Sequence, residues 1–360
     1  MLAGDPRERL AAAAVRGVVE VGPGLRLVTD PRATARLLAC SAARTLRVER
    51  GVAETSWGPD GLATWMAVRA ALRPWLGGVG GQAGEFAERV RRVVAGWPAR
   101  GVIDPMRESV RVVGEVGAGF VLGEPSPSLV GLVERELTVA ARPRLLRGGL
   151  RAAQRATYAA IRGHRDATPL SDFDEHTRAL AVRTLLLAGH HVPAAALAWT
   201  LHELARHPEA QREIRADPRF AAAVVREALR LHPPVWRLER RLDAPVDGFP
   251  EGTVLLFSPY VNQRDHRVFP DPHGFRPGRW RRDPRPPPGA YFPFALGPRG
   301  CPGARLALTL LSVTLSVVLD THELVPHREP RVTQGVLHHP RGARIGLRPV
   351  GDLARGRSTG

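Results

Sequence analysis

The run Phe294-Ala-Leu-Gly-Pro-Arg-Gly-Cys-Pro-Gly303 constrains this chain more than any other stretch. Gly297, Gly300 and Gly303 allow tight turns and close approach of the backbone to a large flat ligand. Cys301 is one of only two cysteines in 360 residues, and the other, Cys40, ends an ordinary apolar helix. After Pro302, the stretch Gly303-Ala-Arg-Leu-Ala-Leu-Thr-Leu-Leu opens a long apolar helix. A sulfur placed there lies beside free N–H groups and the positive end of the helix dipole, which favours a thiolate. Arg299 is placed to neutralise a carboxylate of the same ligand. A lone cysteine in a glycine-rich turn is usually just a small hydrophobe. The spacing decides against that reading.

That spacing, Phe-x-x-Gly-x-Arg-x-Cys-x-Gly, resembles the haem-binding loop of the cytochrome P450 family. The resemblance implies haem b (iron protoporphyrin IX), with Cys301 as its axial iron ligand and Arg299 on a propionate. Phe294 and Gly303 would complete the cradle, and thiolate ligation favours O–O cleavage. Three further stretches follow the family's order. Trp65 and Arg69, four apart on a helix from Leu62 to Leu72, share one face and fill the positions that donate to propionates. Taken alone, that pair is a packed indole with a snorkelling arginine. Glu227-Ala-Leu-Arg230, set among Val224, Val225, Leu229 and Leu231, resembles the Glu-x-x-Arg element, and Arg279 completes its network. Those three residues are structural in the family. Arg240 is a further propionate partner by position, while Val235, Trp236 and Leu238 face the substrate pocket.

The central helix departs from the family pattern. It begins near Ser171 or Asp172 under the acidic caps Asp172, Asp174 and Glu175. Ala188-Gly189 match Ala-Gly-x-acid-Thr, but His191 stands where the acid belongs, Val192 replaces the threonine, and Pro193 follows. Pro193 has no N–H for the Gly189 carbonyl, so a kink is predicted there. The usual acid–alcohol proton relay is absent as written. Gly189, His191 and Val192 are the catalytic candidates: a free carbonyl, an imidazole titrating near neutrality, and a side chain that shapes the pocket without a hydroxyl. His190 joins the substrate pocket. Adjacent helical residues point about 100° apart, which argues against a metal site made of the two histidines. Proton supply by His191 or by substrate, use of peroxide in place of dioxygen and a reductase, and non-redox turnover (an isomerase or dehydratase) all remain open.

The implied fold is mainly α with small β-sheets: a cytochrome P450 fold with a shortened N-terminal region. It forms one domain over 1–348, with a loose tail at 349–360. A helix is predicted around Leu10–Val19, a strand before Asp30, and a helix over Arg32–Ala39. Helices over Leu129–Ala141 and Leu150–Gly163 enclose a turn from Pro143 to Gly149. Strands are expected at Trp236–Leu242 and Gly252–Tyr260, and a hairpin at 331–348. No run of about 18 apolar residues and no signal-peptide layout occurs, which predicts a cytoplasmic chain without a membrane span. The formal charge of +17 is carried by arginine alone, since the sequence has no lysine, a pattern of GC-rich coding. The arginines are dispersed and lack interleaved aromatics, which argues against nucleic acid and for an acidic, ferredoxin-type electron donor. The expected protein is a monomeric monooxygenase of bacterial specialised metabolism acting on a small organic substrate.

Overall fold

The computed structural model describes residues 5–13, 17–40, 43–45, 61–141, 148–164, 166–281, 285–331 and 337–350. Helices dominate, and two small sheets flank them. The helix Pro105–Leu122 packs along His191–Arg206, while Ala304–Thr321 packs on Ala83–Val94 and Phe220–Leu231. Their apolar stripes merge into one core that includes Val112, Val116, Leu197, Leu201, Leu311 and Leu315. Three helices start with an aspartate cap. Asp30 accepts from the Ala33 N–H at 2.8 Å, Asp104 from Met106 at 3.0 Å, and Asp174 from Thr177 at 3.0 Å. Each cap satisfies an N–H that the first turn leaves without an intrahelical partner.

The larger sheet runs Val18–Gly22, Leu25–Val28, Val254–Phe257, Leu238–Leu242, Ala43–Thr45 in spatial order. All its pairs are antiparallel except Leu25–Val28 with Val254–Phe257. Beneath it lies a second small core of Val28, Leu37, Leu242, Leu255, Phe257 and Phe292, with Cys40 packed against it. The smaller sheet places Arg344–Pro349 between Gly101–Ile103 and His322–Arg328.

Several expectations need correcting. The first helix is Pro6–Ala13, and Val18 already belongs to a strand. Within the expected hairpin at 331–348, Arg331 does bridge Arg341 antiparallel, its N–H donating to Arg341 O at 2.8 Å. The strand Arg344–Pro349, however, pairs with His322–Arg328, and 332–336 lie outside the described residues. Pro349, expected to open a loose tail, pairs with His322 in the sheet, and 351–360 lie outside the described residues. The same holds for most of the Pro143–Gly149 turn. Among the described residues, two stretches are long and apolar enough to cross a membrane, Glu175–Arg206 and Ala304–Thr321, and the bent pair Pro105–Leu122 with Pro127–Ala140 passes only if its two helices count as one span. A count of uninterrupted apolar residues passes over both. The first buries 67% of its apolar window inside the protein, so that part of its hydropathy serves the core.

The predicted kink is a full break. Glu175–Ala188 and His191–Arg206 are separate helices joined through Gly189 and His190, whose φ/ψ are −82°/7° and −102°/−83°. Pro193, in the first turn of the second helix, has no N–H to continue the ladder back to Gly189.

Candidate active site

The cysteine loop is folded by its glycines. Gly297 sits at φ 73°, and a Cβ there would lie 2.7 Å from the Leu38 carbonyl oxygen and 2.8 Å from Ala39 Cα. Only glycine allows both the left-handed backbone and that contact with the end of the helix Pro31–Ala39. The Gly300 N–H then donates to Gly297 O at 3.0 Å, and the Cys301 N–H to Phe294 O at 2.8 Å. Cys301 is left just ahead of the helix Ala304–Thr321, its sulfur accepting from the Gly303 N–H. The Arg69 guanidinium donates to Gly300 O at 2.5 Å and lies 5.7 Å from the Trp65 ring centroid. The helix Gly61–Gly77, which carries both, is thereby clamped to the cysteine loop.

The sulfur opens into a cavity of about 440 Å³. Phe294, Arg299 and Gly303 line it beside Cys301, and Trp65 and Arg69 join them. Leu238 and Arg240, two apart on one strand and so on one face, also reach it, as does Val235. Ala188, Gly189, His190, Val192 and Pro193 contribute from the helix break. Much of the rest is apolar, including Val113, Val116, Val130, Val133, Leu310 and Leu311. Three guanidiniums, an indole and one thiol on a largely apolar wall, which also carries Thr184 and His190, suit a flat hydrophobic ligand bearing carboxylates and a thiophilic metal.

The electrostatics of Cys301 differ from the sequence expectation. Burial pushes its thiol up, and the Gly303 N–H and the Arg69 guanidinium pull the other way without prevailing. The helix terminus is thus outweighed by desolvation. A partner cation at the sulfur supplies what the thiolate lacks in the protein alone.

Around the helix break, His190 lies where the sequence assignment put it, in the pocket lining, and His191 departs from its assignment. His190, 3% exposed, lines the cavity, whereas His191 does not. His191 instead experiences Glu134 and His339, with burial the larger influence holding its imidazole low. At the restart of the helix the two rings point in different directions, and only that of His190 reaches the cavity. His190 is lowered to about 4, first by burial and then by His191, whose ring centroid is 5.1 Å away. Among the described residues its Nε2 has no hydrogen-bond partner. Trp236 also departs from expectation. It is buried but not in the lining, and its ring lies 5.1 Å from the Arg237 guanidinium carbon.

Glu227, Arg230 and Arg279 meet away from this cavity. The Glu227 carboxylate accepts from Arg230 Nε and Nη2 at 3.0 and 2.9 Å, and from Arg279 Nε at 3.1 Å. Trp280 Nε1 and the Arg276 N–H add bonds of 2.8 and 2.9 Å. Arg230 spends its remaining donors on the carbonyls of Gln263, Pro272 and Gly274. Both members of the central pair are fully buried.

Two features escaped sequence reasoning. A second buried ion pair, Glu136 with Arg183, ties the helix Pro127–Ala140 to Glu175–Ala188, and no motif marks it. Gly114 is the other. A Cβ on it would lie 2.9 Å from Val130 Cγ1 and 3.4 Å from His190 Cε1, so its bareness makes room for the imidazole. A glycine in the middle of an otherwise good helix was the available signal.

Fold and cavity together define a helical protein with a cavity beside a cysteine sulfur that suits a flat ligand. Residues 154–346 match the family model "Cytochrome P450". The chain belongs to the cytochrome P450 family. The structure of a 6-coordinated cytochrome P450 from Thermus thermophilus superposes with a TM-score of 0.79 at 30% identity, covering 90% of this chain and 92% of that one. CYP175A1, from another strain of the same bacterium, gives 0.81 at 30% identity, covering 95% and 94%. Cytochrome P450 4d2 of Drosophila melanogaster is 34% identical over 211 residues, 51% of this chain and 42% of that relative. The chain thus spans about two fifths of that curated relative's length. The family's cofactor, haem b, fits the donor set described above.

Proposed function

We propose that this chain is a haem-thiolate monooxygenase that oxidises a small, largely apolar organic molecule. The observation that carries the reading is the Cys301 sulfur, cradled by the Gly303 N–H and opening into the cavity bordered by Arg69, Arg240 and Arg299. Cys301 would ligate the iron, the three arginines and Trp65 would hold the propionates, and Phe294 and Gly303 would complete the seat. Haem supplies dioxygen activation when bound. The chain's own part is to seat the cofactor, exclude water with apolar walls and hold substrate near the helix break. Val192 offers no hydroxyl there, and Pro193 leaves the Gly189 carbonyl without its helical donor. His191, turned from the cavity, is not the proton carrier in this reading. Water or a substrate hydroxyl held by the Gly189 carbonyl takes that place.

An arginine-rich chain of formal charge +17 favours an acidic electron donor of the ferredoxin type. We place the protein in the cytoplasm, as a monomer, in bacterial specialised metabolism. A second reading follows from the missing relay: peroxide as oxidant, or non-redox turnover. The dithionite-reduced protein should give the thiolate-type carbon-monoxide difference spectrum. Turnover with dioxygen and a ferredoxin pair, set beside turnover with hydrogen peroxide, then separates the readings. Product from peroxide alone would replace the monooxygenase proposal, and product from neither oxidant would leave the non-redox reading.

A further inference from the structure

We infer that His190 anchors the substrate, through a hydrogen bond from its Nε2 to an uncharged oxygen group (a hydroxyl or carbonyl) on an otherwise apolar molecule. This rests on the proposal that the cavity beside Cys301 is the active site. His190 is 3% exposed and lines the cavity, and its Nε2, buried just behind that lining, has no hydrogen-bond partner among the described residues, so a small turn of the ring presents it to a ligand. Such a group costs about 1–3 kcal/mol when left unsatisfied, so native structures keep one where a ligand or water completes it. Its position is fixed from two sides. The break puts the His190 backbone outside helical geometry, and the bare Gly114 lets the ring settle against the helix Pro105–Leu122.

Nearby polar side chains do not compete for this role. Thr184, also in the lining, donates its hydroxyl back to Leu180 O at 2.8 Å. Arg69, Arg240 and Arg299 belong to the propionate set proposed above. The charge state then selects the ligand class. At neutral pH the imidazole is uncharged, with its affinity for a proton lowered to about 4. A neutral imidazole can donate to or accept from an alcohol or ketone. It cannot balance a carboxylate brought into an apolar cavity, where an unpaired charge is expensive.

The test uses the haem-loaded full chain and matched triads of alkane, 1-alkanol and alkanoic acid from ten to sixteen carbons. Dissociation constants are read from the visible spectrum. Alcohols should bind about tenfold more tightly than their alkanes, the size of one net hydrogen bond in a dry site. His190→Phe should bring that ratio within about twofold, His190→Gln should keep most of it, and His191→Phe should leave it intact. If His190→Phe does not load haem, His190→Leu takes its place. Equal affinity across every pair, no binding by any compound, or an alcohol preference that survives loss of the imidazole overturns the inference. A His190-dependent preference for the acids overturns it as well. Wild-type protein lacking the thiolate-type carbonyl spectrum defeats the functional reading itself. That spectrum present without an alcohol preference defeats only the role of His190.

Discussion

Glu227 and His190 are both polar and both buried, at 0% and 3% exposure, yet their surroundings are opposite. Five donors converge on the Glu227 carboxylate, while His190 lines a cavity and its Nε2 has no partner among the described residues. The first arrangement is that of a scaffold, with each charge compensated and nothing left to bind a ligand. The second keeps its hydrogen bond in reserve. Burial alone therefore does not distinguish structural from functional polar groups; the state of their partners together with their place on this cavity does. Trp97, Ser109 and Asn262 also hold a buried polar atom without a partner among the described residues, but they lie outside its lining.

The sharpest contrast is between the two cysteines. Cys301→Ala should abolish the thiolate-type absorption of the reduced carbonyl complex, and Cys40→Ala should leave it unchanged. Cys40 packs against the small core under the larger sheet and is absent from the cavity lining. A spectrum that follows Cys40 would overturn the assignment of the site.

Next in size is the scaffold itself. Glu227→Ala strands the fully buried Arg230 and should destabilise the fold by about 3–5 kcal/mol. Urea unfolding checks this, with a low haem content expected alongside. Full stability with lost activity would instead make Glu227 part of the chemistry. Gly297→Ala should follow at about 1–3 kcal/mol, because the methyl group meets Leu38 O and Ala39 Cα from a backbone that disfavours it. Loss of haem retention should exceed the loss of global stability, since the strain falls on the cysteine loop.

These scaffold elements were the legible part. The Cys301 loop, Glu227 with Arg230, and Trp65 with Arg69 are short local patterns whose spacing encodes their geometry. The break at Gly189 was legible too, because the missing N–H of Pro193 is a covalent fact. The placement of His190 in the pocket was legible as well, but the turning of His191 away from it was not. Two adjacent residues at a helix break differ by about 100° in direction, and their assignment depends on how the second helix restarts. Trp236 failed for a similar reason, since it precedes the strand Leu238–Leu242 and does not obey its alternation. The Glu136–Arg183 pair joins helices 47 residues apart in sequence, and no local pattern reports it.

The distal side predicts a pH effect with a definite sign. The His190 imidazole is held to about 4 when folded, against an unfolded value near 6.5. Above about 6.5 both states are neutral, and the protein has its full stability from this group. As pH falls toward 4 the unfolded chain takes up the proton first, so stability declines by at most about 1.4 kcal/mol per pH unit. His190→Phe should flatten urea-derived stability between pH 4 and 6.5. The slope will shrink rather than vanish, because His202, His232 and His338 are also lowered by burial. An unchanged slope would mean that His190 is hydrated in the folded state.

The smallest effect should come from Val192, and that makes it informative. Val192 is 37% exposed and borders the cavity, in the place where the family pattern has a threonine. Val192→Thr is nearly isosteric and should change folding stability by less than about 0.5 kcal/mol, as for other partly exposed positions. A restored hydroxyl has little to join. Pro193 still denies the Gly189 carbonyl its helical donor, and His191, in the acid's position, faces Glu134 and His339 rather than the cavity. The yield of product per dioxygen consumed, measured with a bound alcohol of the series above, should therefore shift by no more than about twofold, which is about 0.4 kcal/mol. Peroxide-driven turnover should not respond at all. A tenfold gain in yield from this one hydroxyl would show that the ordinary relay lacks only its alcohol. The break at Gly189 would then be an incidental departure rather than the basis of a different proton path.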